Sequence, residues 1–312
     1  METGRTALVL GATGGIGGAV AAALRHHGWQ VRAMARTPAK AVQGIRWVEG
    51  DAMRGGDVLR AAEGAEVIVH AVNPAGYRDW DKLLLPMIGN TIAAARSCGA
   101  RVVLPGNTYN FDPAAVPLLG ADSPQQPRSR KGLVRRELEA QLEAAAPGVP
   151  SLILRAGDVF GPGARSSWFS QAMVQPGRPL RRVTEISRGP GHSWAYLPDL
   201  GEAFARLLDI PGKLEPFERV QFEGLVDATG RDMSEAAERA CGRPLRRVRF
   251  SWGLMRVLAP FGGLPREAAD IADHWRHPVR LDNRRLETLI GTEPRTSLDA
   301  AIRATLAEMG CL

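Results

Sequence analysis

GATGGIG, residues 11–17, stands directly after the apolar run TALVL (residues 6–10) and directly before an alanine-rich stretch. The run reads as a short buried strand, and residues 18–27 as a helix that Gly28 stops. Gly11 permits the tight turn out of the strand. Gly14 lets the backbone come close to a diphosphate, and Gly17 lets the helix pack close on the sheet. Thr13, Gly15 and Ile16 complete this turn. The unsatisfied N–H groups and the dipole at the helix start attract the diphosphate. Strand, glycine turn and helix in this order predict a dinucleotide-binding unit.

Working outward, strand signals at 29–35, 45–48, 65–72, 101–104 and 151–154 alternate with helix signals at 57–62, 83–97 and 131–146. Pro86 is a candidate kink in the second of these helices, and turn residues fill 73–79. The alternation predicts an α/β fold, a doubly wound parallel sheet of Rossmann type, with ligands beyond the carboxyl ends of the strands. The second half is less regular. Residues 161–191 read as loops around a short helix, and 195–209 as a strand-turn passing into a helix. Strands at 220–222 and 247–250 flank a helix at 233–241, and a helical region at 284–308 is broken near 291–296. Residues 1–160 are expected to form the NAD(P)-binding domain, with 192–212 threaded back onto it. Residues 161–191 and 213–312 are expected to form a smaller C-terminal substrate lobe.

The chain of 312 residues carries 40 Lys and Arg against 33 Asp and Glu, a net charge of +7. The arginines are scattered, with no basic tail and no stripe of interleaved aromatics, so nucleic acid is not an expected partner. The charge reads as solvated surface with some contribution to anion binding. Cys98, Cys241 and Cys311 are odd in number and outside any CxxC spacing, which suits a reducing cytoplasm. The N-terminal stretch lacks a signal-peptide pattern and no apolar run reaches spanning length, so a cytoplasmic protein with no membrane partner is expected.

The end of the second strand discriminates between cofactors. NAD-binding sites place an acid there for the ribose hydroxyls. Residues 31–40, VRAMARTPAK, hold none and offer Arg32, Arg36 and Lys40 instead. A guanidinium can pair with a 2′-phosphate and stack on adenine. Arg36, just past the strand, is the better candidate, against the alternative that these arginines are merely exposed. NADP(H) is favoured over NAD(H).

With these motifs in place, the chain resembles the extended short-chain dehydrogenase/reductase family, the NAD-dependent epimerase/dehydratase group, over nearly its whole length. The glycine turn resembles the family's cofactor turn, Gly50-Asp51-Ala52 its adenine-contacting segment, and His70-Ala71 the pair after its fourth strand. Asn90 resembles the asparagine of the following helix. LRAGDVFGPG (154–163) is similar to the segment at the nicotinamide end, AYLPDLGEAFARLL (195–208) to the second-half strand-turn-helix, and RLETLIGTEPRTSLDAAI (285–302) to the closing pattern. The resemblance implies a small-molecule substrate and a homodimer through two long helices.

It also implies a Tyr-x-x-x-Lys pair on the helix after the fifth strand, and here the chain departs from the pattern. Lys131 stands in the tyrosine's place, Arg135 in the lysine's, and Pro105 or Gly106 where a Ser or Thr belongs. Of the four family positions only Asn90 is kept. Three readings stay open. In the first, the chain is an oxidoreductase or epimerase with a rearranged acid. Lys131 and Arg135 share a helical face, so a neighbouring cation and desolvation lower the lysine's pKa; Lys131 then donates a proton or acts as an amine nucleophile. Tyr109 and Asn107 orient or protonate the substrate. Against this, Lys131 and Arg135 are solvated or bind a cofactor phosphate. In the second reading the fold senses NADP(H) without hydride transfer, as in NmrA-like proteins that resemble this family. In the third it is a non-redox lyase of aldolase type. Aromatic and arginine residues within 161–191 suit a nucleotide-sugar without fixing that choice.

Other residues carry weaker signals. His274 and His277, beside Asp270 and Asp273, have a spacing open to metal, but no further ligands converge, so an exposed helical surface and no metal are expected. His26 and His27 suit the negative end of the first helix's dipole. His192, Trp194 and Tyr196 either line the pocket or do not. Trp168, Trp252 and Trp275 form either a lobe core or a pocket roof. Arg155 is expected to be structural and to need a buried partner, and Cys98 to be packed rather than reactive.

Overall fold

Ala7 and Val9 of the first strand, β1 (Thr6–Leu10), pack into one hydrophobic core, while Leu8 and Leu10 pack into another. A period of two with both faces apolar is what a strand covered on each side requires. The computed structural model describes residues 4–37, 44–73, 80–187, 189 and 191–312. Lys40 and most of the expected loop at 73–79 lie outside the described residues.

From β1 the chain runs through α1 (Gly15–His26), β2 (Gln30–Ala35), β3 (Ile45–Glu49), α2 (Gly55–Ala62), β4 (Val67–His70), α3 (Trp80–Cys98) and β5 (Arg101–Gly106). Pro86 lies inside α3, which continues through it as one helix of 19 residues. The short strand β6 (Leu118–Leu119) precedes α4 (Arg130–Ala145), β7 (Ser151–Ala156) and β8 (Asp158–Phe160). Then come β9 (Arg182–Glu185), β10 (His192–Tyr196), α5 (Leu197–Leu208) and β11 (Phe217–Phe222).

Seven of these strands form one parallel sheet in the order β11-β7-β5-β4-β1-β2-β3. The expected doubly wound Rossmann-type architecture is therefore present. The chain winds to β2 and β3 on one side of β1 and to β4, β5, β7 and β11 on the other. The reversal opens a crevice at the carboxyl ends of β1 and β4.

Residues 217–222, expected in the lobe, form the seventh strand instead. Two buried polar residues, Glu218 and Gln221, interrupt its apolar pattern. Arg285 grips the Glu218 carboxylate with two hydrogen bonds of 3.0 and 2.7 Å.

The remaining elements are β12 (Leu225–Asp227), α6 (Asp232–Cys241), β13 (Arg246–Arg249), α7 (Trp252–Leu258), α8 (Gly263–Asp270), β14 (Arg280–Leu281), α9 (Arg284–Ile290) and α10 (Leu298–Glu308). Leu286 and Leu289 of α9 also pack into the main sheet's core. The lobe is built from β8, β10 and β12, the parallel pair β9–β13, and helices α6, α7, α8 and α10. Trp194, Trp252, Trp275, Phe160 and Phe169 fill its core. The short helix expected within 161–191 is one π turn, Phe169–Met173, and the strand β9 there was not anticipated.

Arg155, at the end of β7, has the partner its burial demands: Glu139 of α4 accepts from its Nε and Nη2 at 3.2 and 2.7 Å. Among the described residues, no helix is long and apolar enough to cross a membrane.

Helix α5 lies against α1, the helix that carries the glycine turn. A Cβ at Gly201 would come within 2.7 Å of the Ala19 carbonyl oxygen, so only glycine permits this spacing. At the far end of α1, His27 bridges two carboxylates, Asp209 through Nδ1 and Glu202 through Nε2. Burial works against a charge on this imidazole, but the hydrogen bonds and negative charge of Asp209 and Glu202 outweigh it and raise its pKa above 6.5. The clamp's stabilisation is therefore full below that value and lost as pH rises through the raised one. The melting-temperature advantage of the wild type over His27→Gln is expected to shrink as pH rises from about 6 into the range above the raised pKa. An advantage that is constant or grows over this range would contradict the charged clamp.

Candidate functional site

One cleft of about 2810 Å³ runs from the glycine turn, across the carboxyl ends of β1, β2 and β4, to the start of α4 and the lobe. Its first part is set by backbone contacts. Gly11 has φ of +86°, and a Cβ there would lie 2.4 Å from the carbonyl oxygen of Ala71. A Cβ at Gly17 would lie 2.3 Å from the carbonyl oxygen of Gly11, so it is the turn itself, rather than the sheet, that the helix start packs against. Gly14 is the N-cap of α1, with no side-chain hydrogen bond to the helix start and no acid in the first turn. Thr13, Gly15 and Ile16 line the same floor. Such a start leaves N–H groups and the positive end of a dipole open to an anion.

Arg36, Asp51, Ala52 and Ala71 line the adjoining wall. The two arginines of β2 and its end separate cleanly. Arg32 donates to the carbonyl oxygens of Ala61 and Glu63 and so caps the C-terminus of α2. Arg36 is exposed and has no ion-pair partner among the described residues. Asp51 accepts from the N–H of Met53 in a local turn. Asn90 does not line the cleft; its Nδ2 donates to the Ala52 carbonyl at 2.9 Å and so holds the 51–52 segment in place.

His70 is buried behind this wall with Nδ1 2.8 Å from the Thr91 hydroxyl. Burial, and then the nearby charge of Arg135, hold its pKa down at about 3, so the imidazole is neutral. Arg135 lies near enough to His70 to act on it electrostatically and is absent from the cleft lining.

Lys131 and Tyr109 do line the cleft. Lys131 is the second residue of α4 and is almost fully buried; its Nζ lies 2.9 Å from Glu267 Oε2. This adds to the expected surroundings. The sequence offered Lys131 only Arg135 as a charged neighbour, and the fold adds a carboxylate on α8. Asp270, one turn along α8, accepts from the backbone N–H groups of Arg130 and Lys131 at 3.1 and 3.3 Å. Asn107 lies outside the lining and accepts from the Tyr109 N–H, shaping the loop. Gly132 lets α4 approach that loop: a Cβ there would be 2.1 Å from the Tyr109 carbonyl oxygen.

Trp168 and Phe250, edge to face with centroids 5.9 Å apart, form the lobe side of the cleft. Trp252 and Trp275 lie behind Trp168 in the core, which answers the question of roof or core differently for each tryptophan. His192, Trp194 and Tyr196 are buried and do not line the cleft. His192 stacks on Trp275 and bonds Asp158 at 2.8 Å. His274, expected on an exposed surface, is buried; its Nε2 donates to the Thr108 carbonyl, and burial lowers its pKa. Glu267 and Asp270 had no signal linking them to α4, because more than a hundred residues intervene. Only the fold joins them.

Residues 11–145 match the NAD(P)H-binding domain family. A 3-diazoavenalumate denitrifying reductase from Streptomyces sp is 31% identical over 172 residues, which cover 50% of this chain and 57% of that protein, under two thirds of its length. Solved structures share the fold over nearly the full chain. MoeE5 in complex with UDP-glucose and NAD has a TM-score of 0.74 at 18% identity, with 98% of each chain covered. UDP-glucuronic acid 4-epimerase from Bacillus cereus, in complex with UDP-glucuronic acid and NAD, has a TM-score of 0.74 at 16% identity, covering 98% of this chain and 99% of that one.

The contact under Gly17 gives a direct check on the turn. Gly17→Ala must push the helix start away from Gly11, and overpacking of this kind costs about 1–3 kcal/mol. Urea unfolding of the variant is expected to show that loss; unchanged stability would mean the turn is looser than described.

Proposed function

We propose that this chain, whose residues 11–145 are an NAD(P)H-binding domain, is a reductase that prefers NADP(H) and uses Lys131 as its proton donor. The observation that carries this reading is the single cleft that joins the glycine cradle to Lys131 and Tyr109. The cradle fits a dinucleotide: it is shaped by contacts no Cβ would allow, and its helix start carries no competing acid. The turn at 11–17 would hold the diphosphate, Asp51, Ala52 and Ala71 the adenosine, and Arg36 the 2′-phosphate. A reduced nicotinamide, when bound, supplies hydride.

The chain's own residues supply the rest. Glu267 pairs with the Lys131 Nζ at 2.9 Å and holds it at the cleft wall, where it can give a proton to a substrate oxygen. Tyr109 lies on the same wall and can orient the substrate. Similarity to the Streptomyces reductase supports reduction ahead of epimerisation or aldol chemistry.

Two measurements test the reading. In fluorescence titrations Arg36→Gln is expected to weaken NADPH binding by roughly tenfold to a hundredfold while leaving NADH binding nearly unchanged. Equal loss for both nucleotides would remove the preference for the 2′-phosphate. In an absorbance assay of NADPH oxidation over a panel of aldehydes and ketones, Lys131→Met is expected to lower kcat by about 10²–10⁴-fold with NADPH affinity retained. Turnover indifferent to Lys131 would assign the proton elsewhere, and tight binding without turnover of any compound would favour a sensor of NADP(H).

A further inference from the structure

We propose that the lobe carries a second ligand site, outside the cleft, for a small polyphosphate. A hollow of about 570 Å³ lies against β9, β13 and the loop that leads into β9. Four of its seven lining residues are arginines, Arg178, Arg181, Arg182 and Arg246, and none is acidic. It shares no residue with the cleft lining, so the proposal stands apart from the reductase reading.

The strand pair sets the charge. β9 and β13 run parallel, with Arg182 opposite Arg246 and Val183 opposite Arg247. Side chains in register on neighbouring strands share a face, and successive residues alternate between faces. Arg247 therefore points away from Arg246, and it meets carboxylates: Glu238 at 2.6 Å, Glu235 at 3.5 Å and Glu185 at 3.7 Å. On the other face Arg182 and Arg246 are exposed. Among the described residues neither has an ion-pair or side-chain hydrogen-bond partner, and the same holds for Arg181. Two guanidiniums whose strands lie about 4.8 Å apart repel each other unless something negative lies between them.

The loop before β9 is fixed in place. The Gly177 and Leu180 N–H groups donate to the carbonyl oxygens of Met309 and Cys311, each at 2.8 Å, and Arg243 Nη2 donates to the Leu180 carbonyl oxygen at 2.8 Å. Leu180 is buried in the lobe core. Arg178 and Arg181 thus extend from a backbone tied down beside each of them, and Arg178 donates to the side-chain oxygen of Gln175. Backbone held in place beforehand lowers the ordering cost of binding.

The spread of the arginines selects the ligand. They come from a loop and two strands, so a single oxyanion reaches only some of them and a chain of phosphoryl groups reaches more. Their planar forks of N–H donors suit phosphate oxygens. The hollow has the size of a small-molecule pocket, and its lining offers no aromatic ring on which the bases of a nucleic-acid strand could stack. β9 runs on to Thr184 and β13 to Phe250, both in the cleft lining. A polyphosphate bridging Arg182 and Arg246 therefore also ties together the two strands that carry those residues to the cleft.

The test is calorimetry on the full chain at about 0.15 M salt, with tripolyphosphate, inorganic phosphate and a short DNA duplex as probes. Tripolyphosphate is expected to bind at least about tenfold more tightly than either of the others. Arg182→Gln combined with Arg246→Gln is expected to weaken it by at least about tenfold. Two controls are expected to keep the wild-type affinity: Arg36→Gln at the cleft, and Arg96→Gln combined with Arg231→Gln, the same loss of charge elsewhere on the surface. Urea unfolding guards against a folding defect. Without anion the Arg182/Arg246 double variant, relieved of a repulsion, is expected to unfold at no lower urea than the wild type, and tripolyphosphate to raise the midpoint of the wild type alone. Equal affinity for tripolyphosphate and phosphate, an equal loss in the surface control, or a double variant less stable than the wild type would each overturn the proposal. A loss that follows Arg36 would place the anion in the cleft, and tighter binding of the duplex through Arg182 and Arg246 would make this face a nucleic-acid surface; either result overturns it too.

Discussion

Two carboxylates on one short helix of the lobe hold the first turn of α4, and the functional end of the cleft depends on that grip. Asp270 satisfies backbone N–H groups that a helix start cannot pair within itself, and Glu267 neutralises the ammonium buried beside them. A side-chain cap of this kind is worth about 1 kcal/mol. Its larger consequence is positional. The lobe is tied to the sheet at the residue that faces the cleft, and the loop bearing Tyr109 is pinned to the same turn by the close approach at Gly132. Lys131 and Tyr109 therefore share one reference point.

The same logic of committed and uncommitted charge runs the length of the cleft. Arg32 and Arg36 have the same chemistry and lie four residues apart, yet one is spent on the C-terminal carbonyls of α2 and the other stands open to the cleft. At the lobe end Glu267 is paired with Lys131 and Asp270 bonds backbone N–H groups, while Arg130 and Arg165 have no ion-pair partner among the described residues. A net charge of +7 spread over the surface would say little about function. An imbalance confined to a cleft says more, because low-dielectric walls focus its field.

The sheet was legible because its strands follow simple rules. Val67 to Val69 and Val102 to Leu104 are continuous apolar runs, and the turn at 11–17 must be glycine where backbone meets backbone. Legibility failed where buried polar groups broke the pattern. Of the seventh strand only 220–222 was read, because the buried Glu218 carboxylate reads as exposed until its partner Arg285 is known. Helix α8 was hidden by Gly263 and Pro265, although proline is tolerated in a first helical turn. His274 read as surface because nothing local announces the Thr108 carbonyl that it meets. The candidate site divides in the same way: contacts made within the first βαβ unit could be read from spacing, and contacts made between α4 and α8 could not.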